Sequence, residues 1–190
     1  MAQASKREQV IDVALKLFYK EGFHATGVEK IREEAGVSKK TLYNHFKSKD
    51  ELILAVLRRR DEQFRNSLMR RVEQLGKTPV EKLKAIFDFI DEWFKSEFFW
   101  GCMFINASAE FTDMDNPHHV VCAEHKRLVH KYIEKLGADA GVKNPDELAE
   151  QLNLLIEGAI VQAHVSGDSR AADRAREIGV ILINNSLTLH

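Results

Sequence analysis

The sequence has few residues that break helices or cross-link a chain. It contains only three prolines and two cysteines among 190 residues, so a disulfide scaffold is not expected, and a reducing cytoplasm is the default setting. No segment alternates apolar and polar residues as a half-buried strand does. The longest apolar run, from Phe98 to Ile105, is too short to cross a bilayer, and the N-terminus lacks the apolar region of a signal peptide. We therefore expect an all-α cytoplasmic protein without a membrane partner.

Charge is balanced over the whole chain but not along it. The formal net charge of −1 argues against a general coat for nucleic acid. Residues 1–60 carry 13 of the 28 Lys and Arg residues but only 8 of the 29 Asp and Glu residues. A basic N-terminal part joined to an acidic remainder suits a protein with one DNA-facing end.

The prolines mark the starts of helices. Each follows a residue that can cap a helix, namely Thr78, Asn116 or Asn144, and proline is favoured at the first helical position. Glu81 and Glu147 complete capping boxes at two of these starts. Together with Gly167 as a stop, the pattern predicts helices at 79–96, 101–111, 117–137, 145–166 and 169–188. With the helices of the first 75 residues, the prediction is an all-α fold of about nine helices.

The stretch from Thr26 to Leu52 predicts two short helices joined by a tight turn, followed by a longer helix over 49–75. Thr26 and Glu29 have capping-box spacing, Gly36 suits a turn with positive φ, and Ser38 suits the N-cap of the second helix. Two short helices in this order form a helix-turn-helix, whose second helix enters the DNA major groove.

Within the second helix, Leu42 and Phe46 are expected to pack inward. The remaining side chains offer cationic, aromatic and amide groups to phosphates and base edges, and two lysines flank the next helix start. The predicted DNA-binding residues are Lys39, Lys40, Thr41, Tyr43, Asn44, His45, Lys47 and Lys49. A solvated, lysine-rich helix is the alternative interpretation.

Residues 5–52 resemble the DNA-binding domain of the TetR family of transcriptional regulators. The matching residues are Ala14, Phe18, Gly22, Phe23, Thr26, Ile31, Ala35, Gly36, Val37, Ser38, Thr41, Leu42, Tyr43, His45, Phe46, Lys49 and Leu52. Lys40 departs from the family, which often has Gly or Ala there. The resemblance implies a DNA-binding domain over 1–50 and a ligand-binding and dimerisation domain over 51–190. It also implies a homodimeric repressor that binds palindromic double-stranded operator DNA and is released by a small-molecule effector.

Nine aromatic residues fall between Phe87 and Phe111. This concentration is expected either as plain core or as an effector pocket with a few polar anchors, and the resemblance favours the pocket. The predicted effector-binding residues are Phe87, Trp93, Phe94, Cys102, Phe104, His118 and Cys122.

Two sensor chemistries and one enzymatic alternative remain open at this point. His118, Cys122 and His125 recur at i, i+4 and i+7, a spacing that suits zinc, and Cys102 is a candidate thiol sensor. A small helical enzyme would use Cys122 and the histidines. Because no catalytic motif is present, we assign no catalytic residue, no metal ligand and no cofactor.

The last two predicted helices have broad apolar faces, and the last face includes Leu189. By the resemblance, these helices form a two-fold interface, a four-helix bundle built from two chains. The alternative is an ordinary helix pair within one chain. The predicted interface residues are Leu152, Leu155, Ala159, Ala163, Ile178 and Leu182.

Overall fold

A computed structural model describes residues 5–187 of the chain. Within these residues the structure contains nine α-helices and no strand, which confirms the predicted all-α class. The helices are α1 (Lys6–Glu21), α2 (Val28–Glu34), α3 (Lys39–His45), α4 (Lys49–Leu75), α5 (Pro79–Phe94), α6 (Met103–Glu110), α7 (Pro117–Asp139), α8 (Pro145–Ser166) and α9 (Ala171–Leu187). Residue 188, the predicted end of the last helix, and Leu189 lie outside the described residues. Over the described part of the chain, no helix is long and apolar enough to cross a membrane.

Several helices begin at the predicted capping residues. The Ser38 hydroxyl accepts a hydrogen bond from the Thr41 amide at 3.0 Å, which starts α3. Thr78 and Glu81 form a reciprocal capping box at the start of α5. The Asn116 side chain accepts from the His118 amide at 2.9 Å, next to the start of α7. These bonds satisfy amides that have no partner within the helix.

Two predicted capping bonds are wrong. The N-cap of α2 is Gly27, which has no side chain to form a cap bond. Thr26 is instead fully buried, and its hydroxyl donates to the Gly22 carbonyl at 2.7 Å. Asn144 is the N-cap of α8 but also makes no cap bond. Its exposed amide instead donates to the Glu147 carboxylate at 3.2 Å.

By backbone proximity the chain forms two compact units. Among the described residues, unit 1 contains residues 5–63 and 102–125, and unit 2 contains residues 64–101 and 126–187. Helices α4 and α7 each contribute residues to both units. The functional division at residue 50 is a different kind of boundary and stays a prediction.

The core of unit 1 is formed where α1, α2 and α3 meet. Phe18 and Phe23 are almost fully buried and their rings stack with centroids 5.1 Å apart. Ile31 and Leu42 add aliphatic side chains that are 0% and 2% exposed. Gly36 has φ of +59°, which allows the turn between α2 and α3.

The core of unit 2 is built on α9, which packs against both α5 and α8. Phe87 of α5 is buried beside Gly179 of α9, where an added Cβ would lie 2.4 Å from the Phe87 Cζ atom. The small residue therefore lets the aromatic ring reach the α9 backbone. Phe87 consequently belongs to the core between these two helices.

Candidate DNA-binding surface and effector site

The sequence of α3 divides its side chains between the core and an open face. Leu42 and Phe46 are each 2% exposed, as their spacing predicts. Lys40 and Asn44 are exposed and Tyr43 is 41% exposed. A cation, an amide and a phenol are thus presented together by one short helix, and each can donate to a phosphate or a base edge.

Three other predicted DNA-binding residues have partners within the chain. The Lys39 ammonium lies 3.7 Å from the Glu29 carboxylate on the surface. The Thr41 hydroxyl lies 2.8 Å from the Ser38 hydroxyl, while His45 is half-buried with its ring beside that of Phe46. Each of these contacts is either surface-exposed or local to α3.

Lys47 and Lys49 were predicted to support a phosphate at the start of α4. The Lys47 side chain is exposed, but its amide donates to the Glu51 carboxylate at 2.7 Å. The Lys49 ammonium donates to the His24 carbonyl at 3.3 Å and lies over the Phe18 ring. Burial lowers the pKa of Lys49, although the charges of Glu110 and Asp50 oppose that shift. Lys49 thus joins α4 to the segment before α2, and its contact with phosphate stays a prediction.

The C-terminal end of α6 is fastened to the segment between α1 and α2. The Glu110 carboxylate accepts hydrogen bonds from the Phe23 amide at 2.9 Å and the His24 amide at 2.6 Å, and lies 2.7 Å from the His24 ring. Gly22 has φ of +88°, and a Cβ there would lie 3.0 Å from the carboxylate. We call this arrangement the Glu110 clamp. Sequence reasoning missed it, because the bonded residues are far apart in the chain.

The Glu110 clamp is electrostatically favourable. Burial by itself raises the pKa of Glu110, but hydrogen bonds from His24 and Phe23 outweigh it, so the net pKa is lowered. The carboxylate is therefore ionised at neutral pH and accepts bonds from two backbone amides. Next to it, Phe111 places its ring 5.0 Å from that of His24 and 4.3 Å from that of His118.

Four predicted effector-binding residues lie in unit 1, and all four are buried: Cys102, Phe104, His118 and Cys122. Phe104 of α6 stacks on His125 with ring centroids 3.7 Å apart. His125 in turn places Nδ1 2.8 Å from the Asp61 carboxylate of α4. This places Phe104 of α6 against a histidine–aspartate pair that joins α7 to α4.

His118 has one nitrogen with a partner and one without. Its Nε2 lies 3.2 Å from the Asp50 carbonyl oxygen, which can only accept, so the proton belongs on Nε2. Its Nδ1 is buried and has no hydrogen-bond partner among the described residues. In the neutral ring this nitrogen is an acceptor, so a bound molecule with an N–H or O–H group would satisfy it.

The other three predicted effector-binding residues lie in unit 2. Phe87 is a core residue, as described above, whereas Trp93 and Phe94 are half-buried. The Trp93 ring makes T-shaped contacts with Phe64 and Phe99 at 5.0 and 5.2 Å. Trp93 and Phe94 are therefore part of an aromatic cluster whose ligand-binding role stays a prediction.

The predicted metal and thiol sensors receive little geometric support. Among the described residues, His118, Cys122 and His125 do not form a group of ligand atoms within 4.8 Å of one another. Within residues 5–187, Cys102 and Cys122 form no disulfide, and both thiols are buried. A thiol sensor needs an accessible sulfur, which this conformation does not present.

The exposed apolar face of α8 and α9 differs from the predicted interface. Leu152 and Ala159 are 0% and 6% exposed within a single chain, Leu155, Ala163 and Leu182 are half-buried, and Ile178 is 49% exposed. Large apolar side chains that remain exposed on these helices form what we call the α8–α9 stripe: Leu154, Val161, Val165, Ile178 and Ile181.

Known proteins with similar sequences share both parts of this architecture. Residues 10–56 match the family described as bacterial regulatory proteins, tetR family, and residues 79–178 match the tetracyclin repressor-like C-terminal domain. The chain is 26% identical over 175 residues to the HTH-type transcriptional regulator YjdC of Escherichia coli, covering 91% of each protein. It is 24% identical over 184 residues to the HTH-type transcriptional repressor DhaR of a Mycobacterium species, covering 92% of this chain and 90% of that protein.

A solved structure also resembles the fold along nearly the whole chain. The crystal structure of a TetR-family transcriptional regulator from Streptomyces coelicolor superposes with a TM-score of 0.89 at 26% sequence identity, covering 96% of each chain. The family matches cover the helix-turn-helix and more than half of the chain beyond it. The chain therefore belongs to the TetR family and is a DNA-binding transcriptional regulator.

Proposed function

We propose that this protein is a homodimeric repressor that leaves its operator when a small apolar effector binds. It acts by binding rather than by turnover, in the cytoplasm, where operator DNA is found. The observation that carries the proposal is the open face of α3, because it presents Lys40, Tyr43 and Asn44 beside a buried hydrophobic anchor. Repression, as the name of DhaR states for that protein, is distinguished from activation by a reporter gene under the selected operator.

The DNA-binding part of the proposal assigns different tasks to neighbouring side chains. Tyr43 holds a phosphate, while Lys40 and Asn44 reach base edges, Asn44 with adenine as its best partner. The remaining predicted residues, including Lys49, support the backbone contact. The family often has Gly or Ala at the Lys40 position, so Lys40 distinguishes the operator of this protein from those of relatives.

The test begins with an operator selected from random duplexes by the full-length protein. Lys40→Ala is expected to relax the sequence preference at one position of each half-site. Tyr43→Phe is expected to weaken binding to all DNA sequences by the same factor. Lys135→Ala, which removes an exposed lysine from α7, is the matched control. Fluorescence anisotropy at several salt concentrations measures both effects, since each lost phosphate contact reduces the salt slope by about 1. Unchanged affinity and preference in both variants would exclude α3 as the reading helix.

The dimer part of the proposal rests on the α8–α9 stripe. Leu154 and Val165 are 77% and 76% exposed, and Leu154, Val161 and Val165 recur at heptad-like spacing of seven and four residues on α8. Such a row suits packing against a second copy of itself around a two-fold axis. Two DNA-binding heads then meet successive major grooves when their separation is about 34–36 Å.

Sedimentation of interface variants tests this assembly. Val161→Glu combined with Val165→Glu is expected to yield monomers and weaken operator binding, because unpaired charges would be buried in the contact. Gln162→Glu adds charge to a neighbouring exposed position of α8 and is the control. A double variant that remains a dimer would place the interface on another surface.

The effector part of the proposal places the ligand against α6. A molecule that contacts Phe104 and donates to Nδ1 of His118 would shift α6, and the Glu110 clamp would carry that shift to the segment before α2. The ligand must prefer the DNA-incompetent arrangement, since equal affinity for both arrangements shifts nothing. A coupling of about 1–3 kcal/mol is usual. By reciprocity, operator must weaken effector binding by the same factor.

Effector candidates are found by screening for compounds that release the selected operator. Phe104→Ala and Trp93→Ala are then compared, because the first removes an aromatic ring of α6 and the second disturbs the aromatic cluster of unit 2. We expect Phe104→Ala to weaken effector binding while preserving the affinity for operator DNA. An effector that binds Phe104→Ala normally, or whose affinity is unaffected by operator, would exclude this route.

A further inference from the structure

Three potential metal ligands from two helices come together in unit 2, and the proposed function uses none of them. His130 and Glu134 lie one turn apart on the same face of α7, and Asp146 lies in the first turn of α8. One ligand atom from each residue lies within 4.8 Å of the other two. His130 Nε2 is 3.5 Å from the nearer Asp146 carboxylate oxygen. The triad thus combines one imidazole with two carboxylates.

The imidazole of His130 points an unsatisfied atom at this site. Its Nε2 is buried and makes no hydrogen bond among the described residues, even though two carboxylates are close. A buried polar atom without a partner is destabilising and is rare in folded proteins. A ligand that bonds directly to this nitrogen would remove the deficit, and a metal ion does so while also neutralising the two carboxylates.

The fold holds the two helices close enough to share such a ligand. Gly137, one turn beyond Glu134 in α7, lies so near α8 that an added Cβ would be 3.2 Å from the Pro145 Cβ atom. The connection between the helices turns at Gly141, which has φ of +78°. Pro145 then begins α8 and fixes the position of the next residue, Asp146.

We propose that His130, Glu134 and Asp146 bind a divalent transition-metal ion of the zinc type. Imidazole favours such ions over Mg²⁺ or Ca²⁺, which prefer oxygen ligands alone. Water completes the coordination, because the Asp146 side chain is 64% exposed. The ion would bridge the C-terminal part of α7 and the start of α8.

Lys131 opposes ion binding at this site and therefore provides a further test. Its ammonium lies 2.6 Å from one Glu134 carboxylate oxygen. A cation at the triad would compete with this ion pair for the same carboxylate and would be repelled by the ammonium. Removing the Lys131 charge is therefore expected to tighten metal binding, whereas a lost ligand weakens it.

The experiment is calorimetric titration of full-length, chelator-treated protein with Zn²⁺, and separately with Mg²⁺. The expected result is one tight Zn²⁺ step per chain that equimolar Mg²⁺ does not displace. His130→Asn and Glu134→Gln should each weaken that step by at least about tenfold, the cost attached even to losing outer contacts of a metal site. Lys131→Gln should strengthen it. Asp139→Asn, an exposed carboxylate near the end of α7, should leave it unchanged.

Substitution with Co²⁺ gives a readout that does not depend on stability or on DNA binding. A visible absorption band should appear in the wild type and disappear in both ligand variants, and circular dichroism confirms that the variants remain folded. The proposal is overturned if wild-type protein shows no tight Zn²⁺ step. It is also overturned if His130→Asn and Glu134→Gln, both folded, bind Zn²⁺ as the wild type does. None of these results bears on operator binding, so the proposed function is tested separately.

Discussion

Replacing Glu110 by Gln tests the Glu110 clamp with little change in side-chain volume. The carboxylate accepts hydrogen bonds from two backbone amides and pairs with the His24 ring. A glutamine amide has only one acceptor oxygen, and its NH2 group would face another hydrogen-bond donor. A hydrogen bond to a charged group contributes about 1.5–3 kcal/mol. Because the Glu110 side chain is 26% exposed, solvent screening reduces the sum. We expect the variant to lose about 2 kcal/mol of unfolding free energy in total.

The loss is measurable by thermal unfolding and has a defined pH dependence. For a chain of this size about 1 kcal/mol corresponds to roughly 2–4 °C, so a decrease of about 4–8 °C is expected at neutral pH. The pKa of Glu110 is lowered in the folded state from its ordinary value of 4.5, so the clamp stabilises above that pH. Its contribution is lost as the pH falls through the folded-state pKa.

The stability of wild type and Glu110→Gln should therefore converge in acid. Glu150→Gln, an exposed change on α8, is the matched control and should follow the wild type at every pH. If Glu110→Gln unfolds at the wild-type temperature, or if its decrease in unfolding temperature is the same at neutral and acid pH, the ionised carboxylate of the clamp does not stabilise the fold.

Three further predictions concern other parts of the chain. Gly179→Ala should cost about 1–3 kcal/mol in urea unfolding, because the buried Phe87 ring has no room to retreat from a new methyl group; an unchanged midpoint would contradict this packing. Thr78→Ala should lower the free energy of unfolding by about 1 kcal/mol, because it removes a capping box. An equal loss of stability in Thr78→Ser, which keeps the hydroxyl, would show that the methyl group is responsible instead. Burial, with the charge of Glu73, raises the pKa of Tyr132 to about 12, so stability should fall as pH rises from about 10 toward that value. Tyr132→Phe should remove this fall, and an ultraviolet titration that shows all tyrosines ionising near their ordinary pKa would refute it.

The helices were predictable because their ends are encoded locally. Thr78 precedes Pro79 and is followed three residues later by Glu81, so the start of α5 is set within four positions, and the structure contains that capping box. The same reasoning failed at Thr26, because the fold buries this residue fully and its hydroxyl donates to the Gly22 carbonyl instead of a helix amide. Local signals therefore locate a helix better than they locate the bonds of its first residue.

The Glu110 clamp could not be predicted because its parts share no local pattern. Glu110 ends α6, while its partners Phe23 and His24 lie 87 and 86 residues earlier. A glutamate at the C-terminal end of a short helix is usually interpreted as a solvated charge, and the helix dipole disfavours a negative charge at that end. The one available signal was Gly22, whose positive φ brings the backbone within reach of a carboxylate. A single glycine does not identify which carboxylate approaches.

The same limit explains which apolar residues of α8 remain open. This helix carries apolar residues on more than one face, and periodicity shows that each face exists without showing which one packs inward. Packing within one chain covers Leu152 and Ala159, whereas Leu154 and Val165 remain more than three-quarters exposed. Side chains of this size that stay exposed among residues 5–187 and align along one helix are typical of an interaction surface. The proposed dimer is therefore better supported by the residues that periodicity did not select than by those that it did, since a side chain already buried in the monomer gains nothing from a second subunit.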